Sequence, residues 1–251
     1  AGYRMAQELL RDADTAMYGA KQTGRAKHQF FDETMRTLAL YRLEMETALR
    51  KAIENDELSM VYQPVISASD GKIRGFEALM RWKSPGRGFV MPGEFIPIAE
   101  DTGLINSMGR WAFKTSLKQL QIWRSQGYRD LFMAINLSPI QVRERNCADF
   151  LLDLISDTGL PPSSVHLEMT ETKLMENREE IYEVLEKLAS AGVRLAIDDF
   201  GTGYSSLAYL KRFQISTLKI DRSFVSELPA HRENLNITKA ISALASSLEI
   251  R

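Results

Sequence analysis

Five short apolar runs in this chain each carry a polar residue that a buried strand ordinarily avoids: Glu77, Asn136, Glu168, the pair Asp198 and Asp199, and Lys219. In the run from Gly75 to Trp82, the two-residue period of a strand puts Glu77, Leu79 and Arg81 on one face. Phe76, Ala78, Met80 and Trp82 fall on the other. The same reading sets Asn136, Glu168, Asp198 and Lys219 opposite aliphatic neighbours, each near the C-terminal end of its run. From Asn136 to Glu168 to Asp198 the interval is about 30 residues, the length of a strand-plus-helix unit, and helical patterns fill the gaps. Parallel strands that present polar residues at their C-terminal ends predict an α/β fold, a TIM-type (β/α) barrel.

A chain of 251 residues, 44% apolar and 26% charged, suits one such barrel. The formal net charge of -1 gives no basic surface for a DNA or RNA polymer, so a nucleotide ligand has to be held by local chemistry. No apolar stretch approaches the roughly 18 residues a membrane span needs, and the N-terminus lacks a secretion-signal layout. The single Cys147 cannot form an internal disulfide, which matches a reducing compartment. A cytoplasmic segment without membrane contact is the expectation.

Helical spacing over 5 to 21 places Leu9, Leu10, Ala13, Ala16 and Met17 together, with Gly24 as a stop before Gln29, Phe30 and Phe31. A second helix over 33 to 53 carries Leu38, Tyr41, Met45, Leu49 and Ile53 on one side and leads into a strand from Leu58 to Val65. Ser69, Asp70, Gly71 and Lys72 form a turn so short that the strands it joins must be antiparallel, an unusual start for a barrel. The spacing then predicts a loop between Trp82 and Met91 and a helical region from Gly93 to Gly127, with Trp111, Leu117, Leu120 and Trp123 in the core. Further helices are expected over 140 to 157, 176 to 190, 203 to 212 and 233 to 248. Three units follow: 1–31, a helical connector over 32–55, and the barrel over 56–251.

Oxygen donors such as Glu77, Asn136, Glu168 and Asp198, converging on one barrel mouth with Asp199 beside them, suit a hard divalent cation such as Mg²⁺ or Mn²⁺. Clustered acids repel one another unless a cation lies between them. A lone carboxylate at a strand end is usually a solvated loop residue or a helix cap, and a lone lysine there can snorkel to water. It is the recurrence on successive strands that points to a site. Gln63 and Arg81 flank it and are candidates to bind a base edge or a phosphate. The glycine-bearing segment Asp199 to Ser206 joins a strand to a helix, and serves either as a tight turn or as backbone N–H donors for phosphate.

The motifs Gln63-Pro64, Glu77-Ala78-Leu79 with Arg81, Pro92 to Ile105 (PGEFIPIAEDTGLI), Asn136-Leu137-Ser138, Glu168-Met169-Thr170-Glu171, Asp198 to Gly203 (DDFGTG) and Leu218-Lys219-Ile220-Asp221 resemble the EAL domain, in the family's order, over about 41 to 251. The resemblance implies a metal-dependent phosphodiesterase, a hydrolase that opens cyclic di-guanylate (c-di-GMP), a bacterial second messenger, to linear pGpG. It implies that Glu77, Asn136, Glu168 and Asp198 ligate Mg²⁺ or Mn²⁺, with Asp199 serving a second ion. Lys219 is then expected to position or deprotonate the attacking water. Gln63, Leu79 and Arg81 are expected to contact the nucleotide, and Glu171 to pin the DDFGTG loop. A homodimer is expected near that loop.

Residues 1–31 are similar to the closing segment of a GGDEF domain, without its signature loop. At the other end, residues 244 to 251 look like the helix before a seventh barrel strand, so the barrel is expected to lack its last two strands and a later family glutamate. Weak or absent turnover is the expectation for such a fragment. Two other readings stay open: a regulatory module that binds c-di-GMP without turnover, and a barrel used only as a scaffold.

Overall fold

A computed structural model describes residues 5–7, 10, 12, 13, 16, 17, 30–175, 178–203, 210 and 212–251. Most of the predicted helix over 5 to 21 and of that over 203 to 212 lies outside them, as do Gly24 and Gln29. The first long element, α1 (Glu33–Ala52), begins where the Asp32 carboxylate accepts from the Met35 N–H, which satisfies one orphan donor of the first turn. Arg50 and Lys51 oppose the dipole at its other end. Its inward stripe is Met45, Leu49 and Ala52; Leu38, expected on that stripe, is 65% exposed. Asp12 is buried and ion-paired with Arg36 of this helix at 2.7 Å.

Strand β1 (Leu58–Ile66) pairs antiparallel with β2 (Ile73–Ser84) across the predicted turn, where the Gly71 N–H donates to the Ser67 carbonyl. β2 then pairs parallel with β4 (Phe132–Asn136), followed in order by β5 (Val165–Thr170), β6 (Arg194–Phe200) and β7 (Thr217–Ile220). The parallel-dominated α/β sheet matches the TIM-type expectation, including its antiparallel first strand. Among the described residues the sheet is open, with β1 and β7 at its edges, and Arg251 lies along β7 through backbone bonds to Leu218 and Ser216.

Several expectations needed correction. The loop between Trp82 and Met91 contains a short strand, β3 (Gly88–Val90), paired to the far end of β2. The helical region from Gly93 is two helices, α2 (Pro92–Thr102) and α3 (Leu104–Ser125), because Gly103 between them is left-handed at φ 76°, where a Cβ would be strained. The predicted helix over 140 to 157 is also two, α4 (Pro139–Val142) and α5 (Cys147–Thr158), broken at Asn146 with φ 66°. The helix expected over 176 to 190 is present as α7 (Arg178–Ser190), and a short helix not expected, α6 (Glu171–Met175), comes before it. Short α8 (Arg222–Val225) precedes α9 (Arg232–Ser247), close to the range expected. Leu117 and Leu120 are fully buried, whereas Trp111 and Trp123 only pack against the core.

Alternation divides the strands as expected. Met133, Ile135, Leu167, Leu195, Ile197 and Leu218 join one core with α3, α5 and α7, while Trp82 and Phe95 anchor a second beneath α1 and α2. The opposite side chains line the sheet's inner surface. Each buried Leu or Ile contributes about 1.5–3 kcal/mol, so a one-residue slip that everted this face is strongly disfavoured.

Candidate metal and phosphodiester site

Register sets the polar residues of the parallel strands within two positions of one another on neighbouring strands. Gln63 stands opposite Glu77, Glu77 opposite Ala134, Asn136 opposite Glu168, and Thr170 opposite Asp198. Glu77 is not at its strand's end, because β2 runs on to pair with β1 and β3 beyond the parallel part of the sheet. Asn136 closes β4, and its side-chain amide donates to Glu77 Oε1 at 3.1 Å.

Carboxylate oxygens of Glu77, Glu168 and Asp198 lie within 4.8 Å of one another. Lys219 Nζ donates to Glu77 Oε2 at 3.0 Å, Glu168 Oε2 at 2.5 Å and Asp198 Oδ2 at 3.0 Å. Two carboxylate charges 4.8 Å apart repel by about 3.5 kcal/mol at an effective dielectric of about 20. The single ammonium against three acids leaves a surplus of two negative charges when all are ionised. Glu168, only 5% exposed, feels both effects: burial, then the charges of Glu77 and Asp198, push its carboxyl up to about 7 against the opposing pull of Lys219. Burial alone would push Lys219 down, but the carboxylates of Glu168, Glu77 and Asp198 outweigh it and hold the ammonium above the usual lysine range. This donor set fits a hard divalent cation: it is all oxygen, close enough for one ion to reach, and short of positive charge.

Asp199 stands apart from that cluster. It sits in a left-handed conformation at φ 53°, its N–H donates to Asp198 Oδ1 at 3.0 Å, and its carboxyl faces Asp221. Partial burial, then the charges of Asp198 and Asp221, raise its pKa. Glu171, 1% exposed, accepts the Gly201 N–H at 2.9 Å and the Gly203 N–H at 3.4 Å through Oε2, which ties α6 to the DDFGTG loop. Tyr204, Ser205 and Ser206 lie outside the described residues.

A cavity of about 280 Å³ opens beside the acids, lined among others by Leu79, Arg81, Ile96, Asn136 and Glu168. Arg81 holds the Met80 carbonyl at 2.9 Å. Gln63 is exposed on β1, outside this lining. Three polar residues near the site lie in the quoted motifs but were assigned no role from sequence: Asp221, Glu100 and Ser138. Ser138 Oγ donates to Glu100 Oε1 at 2.8 Å across 38 residues of chain, a contact with no local signal. Only the Ser138-x-x-Gln141 spacing, a capping box, was open to detection.

The EAL domain family model matches residues 46–251. Over 244 residues the chain is 41% identical to the bifunctional diguanylate cyclase/cyclic di-GMP phosphodiesterase MucR of Pseudomonas aeruginosa, covering 97% of this chain and 36% of that protein. It is 37% identical to the cyclic di-GMP phosphodiesterase PdeR of Escherichia coli over 243 residues, again 97% of this chain and 36% of the relative. The chain thus spans about a third of the length of either relative. The solved PaMucR phosphodiesterase, a c-di-GMP complex, superposes with a TM-score of 0.78 at 40% identity over 82% of this chain and 84% of that one. Sheet order, acid placement and the extent of the match agree: the chain belongs to the EAL domain family.

Proposed function

We propose that this chain is the phosphodiesterase module of a longer signalling protein and hydrolyses c-di-GMP to linear pGpG with Mg²⁺ or Mn²⁺. The observation that carries the reading is the gathering of Glu77, Glu168 and Asp198, from three separate strands, around the Lys219 ammonium. The relatives named for this activity and the c-di-GMP complex of PaMucR support the substrate.

In this reading Glu77, Asn136, Glu168 and Asp198 hold the cation, and Asp199 serves a second one. A bound divalent ion supplies Lewis acidity to the phosphodiester and activates water near neutral pH. Lys219, within 3.0 Å of an oxygen of each of the three acids, suits orienting the carboxylates and a water. The apolar wall at Leu79 offers a surface for a purine face, while Gln63 and Arg81 supply polar contacts to the nucleotide. Glu171 holds the loop after Asp199 through two backbone donors.

By family resemblance the working protein is a cytoplasmic homodimer, and residues 1–31 close an upstream GGDEF module. No described helix is long and apolar enough to cross a membrane. Incubating the protein with Mn²⁺ and c-di-GMP tests the activity: formation of pGpG is expected. Tight binding without pGpG would instead favour a regulatory module.

A further inference from the structure

The turn after β4 is held more firmly than a strand-to-helix link requires. The Ser138 N–H donates to Gln141 Oε1 at 3.0 Å, and Ser138 Oγ both accepts from the Ile140 N–H at 3.3 Å and donates to Glu100 Oε1 at 2.8 Å. Ser138 and Gln141 are both 8% exposed. The Gln141 amide lies against α3 at Gly109, where a Cβ would stand 1.8 Å from its Nε2. One residue before Ser138, the Leu137 N–H donates to the Glu168 carbonyl at 2.8 Å; two before it, Asn136 reaches Glu77. The turn is therefore pinned on one side to α2 and α3 and on the other to two of the clustered acids.

We propose that Glu100, Ser138 and Gln141 form a clamp that positions Asn136 as a metal ligand, with Glu100 and Ser138 acting as a coupled pair. The proposal rests on the metal-dependent reading above. None of the three needs to touch the cation. The Leu137 N–H bond to the Glu168 carbonyl is the last ladder bond beside Asn136, so the turn beyond it must supply the remaining stiffness. Outer partners that orient first ligands typically change metal affinity by about 10–100-fold when removed.

The test is Mn²⁺ affinity, read by calorimetry on the full chain, with circular dichroism to confirm folding. Ser138→Ala and Glu100→Ala should each weaken Mn²⁺ binding about tenfold. The loss in the double variant should fall short of the sum of the two single losses, because both singles remove the Ser138–Glu100 link. Glu100→Gln keeps an acceptor oxygen and should restore affinity to within about threefold, which guards against loss through misfolding. Unchanged Mn²⁺ affinity in both alanine variants, or fully additive losses in the double variant, would overturn the clamp while leaving the metal reading intact. A raised KM for c-di-GMP at unchanged Mn²⁺ affinity would also overturn it, by making Glu100 a substrate contact. No saturable Mn²⁺ binding by the unaltered chain would overturn the metal reading and the clamp together.

Discussion

Lys219 is the counter-ion to three acids, and that role fixes the sign of its removal. Lys219→Met should lower stability by about 3 kcal/mol, the usual cost of leaving buried charge unpaired. Mn²⁺ should then raise the melting temperature of the variant more than that of the parent, although turnover is lost; thermal scans with and without Mn²⁺ check both. A second residue-scale prediction concerns pH. Glu168 must be ionised to hold a cation, and its carboxyl is raised to about 7. Mn²⁺ affinity should therefore be flat above that pH and fall by up to about tenfold per unit below it, measurable by calorimetry between pH 8 and 5.5. Glu77, Asn136, Glu168, Asp198 and Lys219 were legible because side chains on a strand alternate, and a polar residue among aliphatics stands out. Glu100 and Asp221 were not, because each takes its meaning from a neighbour distant in sequence.

At the scale of elements, α1 is attached to the body in two ways of unequal strength. Tyr41 donates to Glu94 at 2.8 Å, Arg87 pairs with Glu44 at 2.7 Å, and Arg42 pairs with Asp101, all at exposed positions. Met45 and Leu49 are fully buried beneath. Exposed ion pairs contribute about 0–1 kcal/mol, whereas truncating a buried leucine costs about 2–5 kcal/mol. Leu49→Ala should thus destabilise severalfold more than Arg42→Ala in urea unfolding. Gly109→Ala sets two effects against each other: helix propensity gains about 1 kcal/mol, but the overlap with Gln141 costs about 1–3 kcal/mol. A net loss of stability is expected. Element types were readable from periodicity, but the breaks at Gly103 and Asn146 were not. Each takes a single residue into a left-handed conformation without interrupting the apolar spacing on either side. β3 was hidden for a related reason, since three residues are too few to show a period.

At the scale of the whole molecule, the sheet's inner surface carries ionisable groups away from the acid cluster too. His166 stacks on Phe132 with ring centroids 3.9 Å apart, and burial, then Arg194 and Arg251, depress its pKa to about 4. A histidine depressed in the folded state binds its proton more readily when unfolded. Its contribution is intact above about pH 6.5 and is lost as pH falls toward 4, by up to about 3 kcal/mol. His166→Phe should flatten that part of the pH–stability curve. The α/β layout with its antiparallel first strand was readable from run spacing and one short turn. The convergence of the acids on one mouth was readable as well, but the contacts that close it, Asn136 to Glu77 and Lys219 to three carboxylates, were not, because register is set by packing of the aliphatic face against helices that the strand patterns do not contain.

The central claim is that the carboxylates gathered around Lys219 would hold a divalent ion and that the protein, with that ion bound, hydrolyses a cyclic dinucleotide. Its most direct test is pGpG production from c-di-GMP by the protein and its Asp198→Asn variant, each with Mn²⁺ and with EDTA. The account predicts pGpG only from the unaltered sequence with Mn²⁺, and a loss of at least about a hundredfold in the variant. Equal hydrolysis by both, or hydrolysis that survives EDTA, would contradict it.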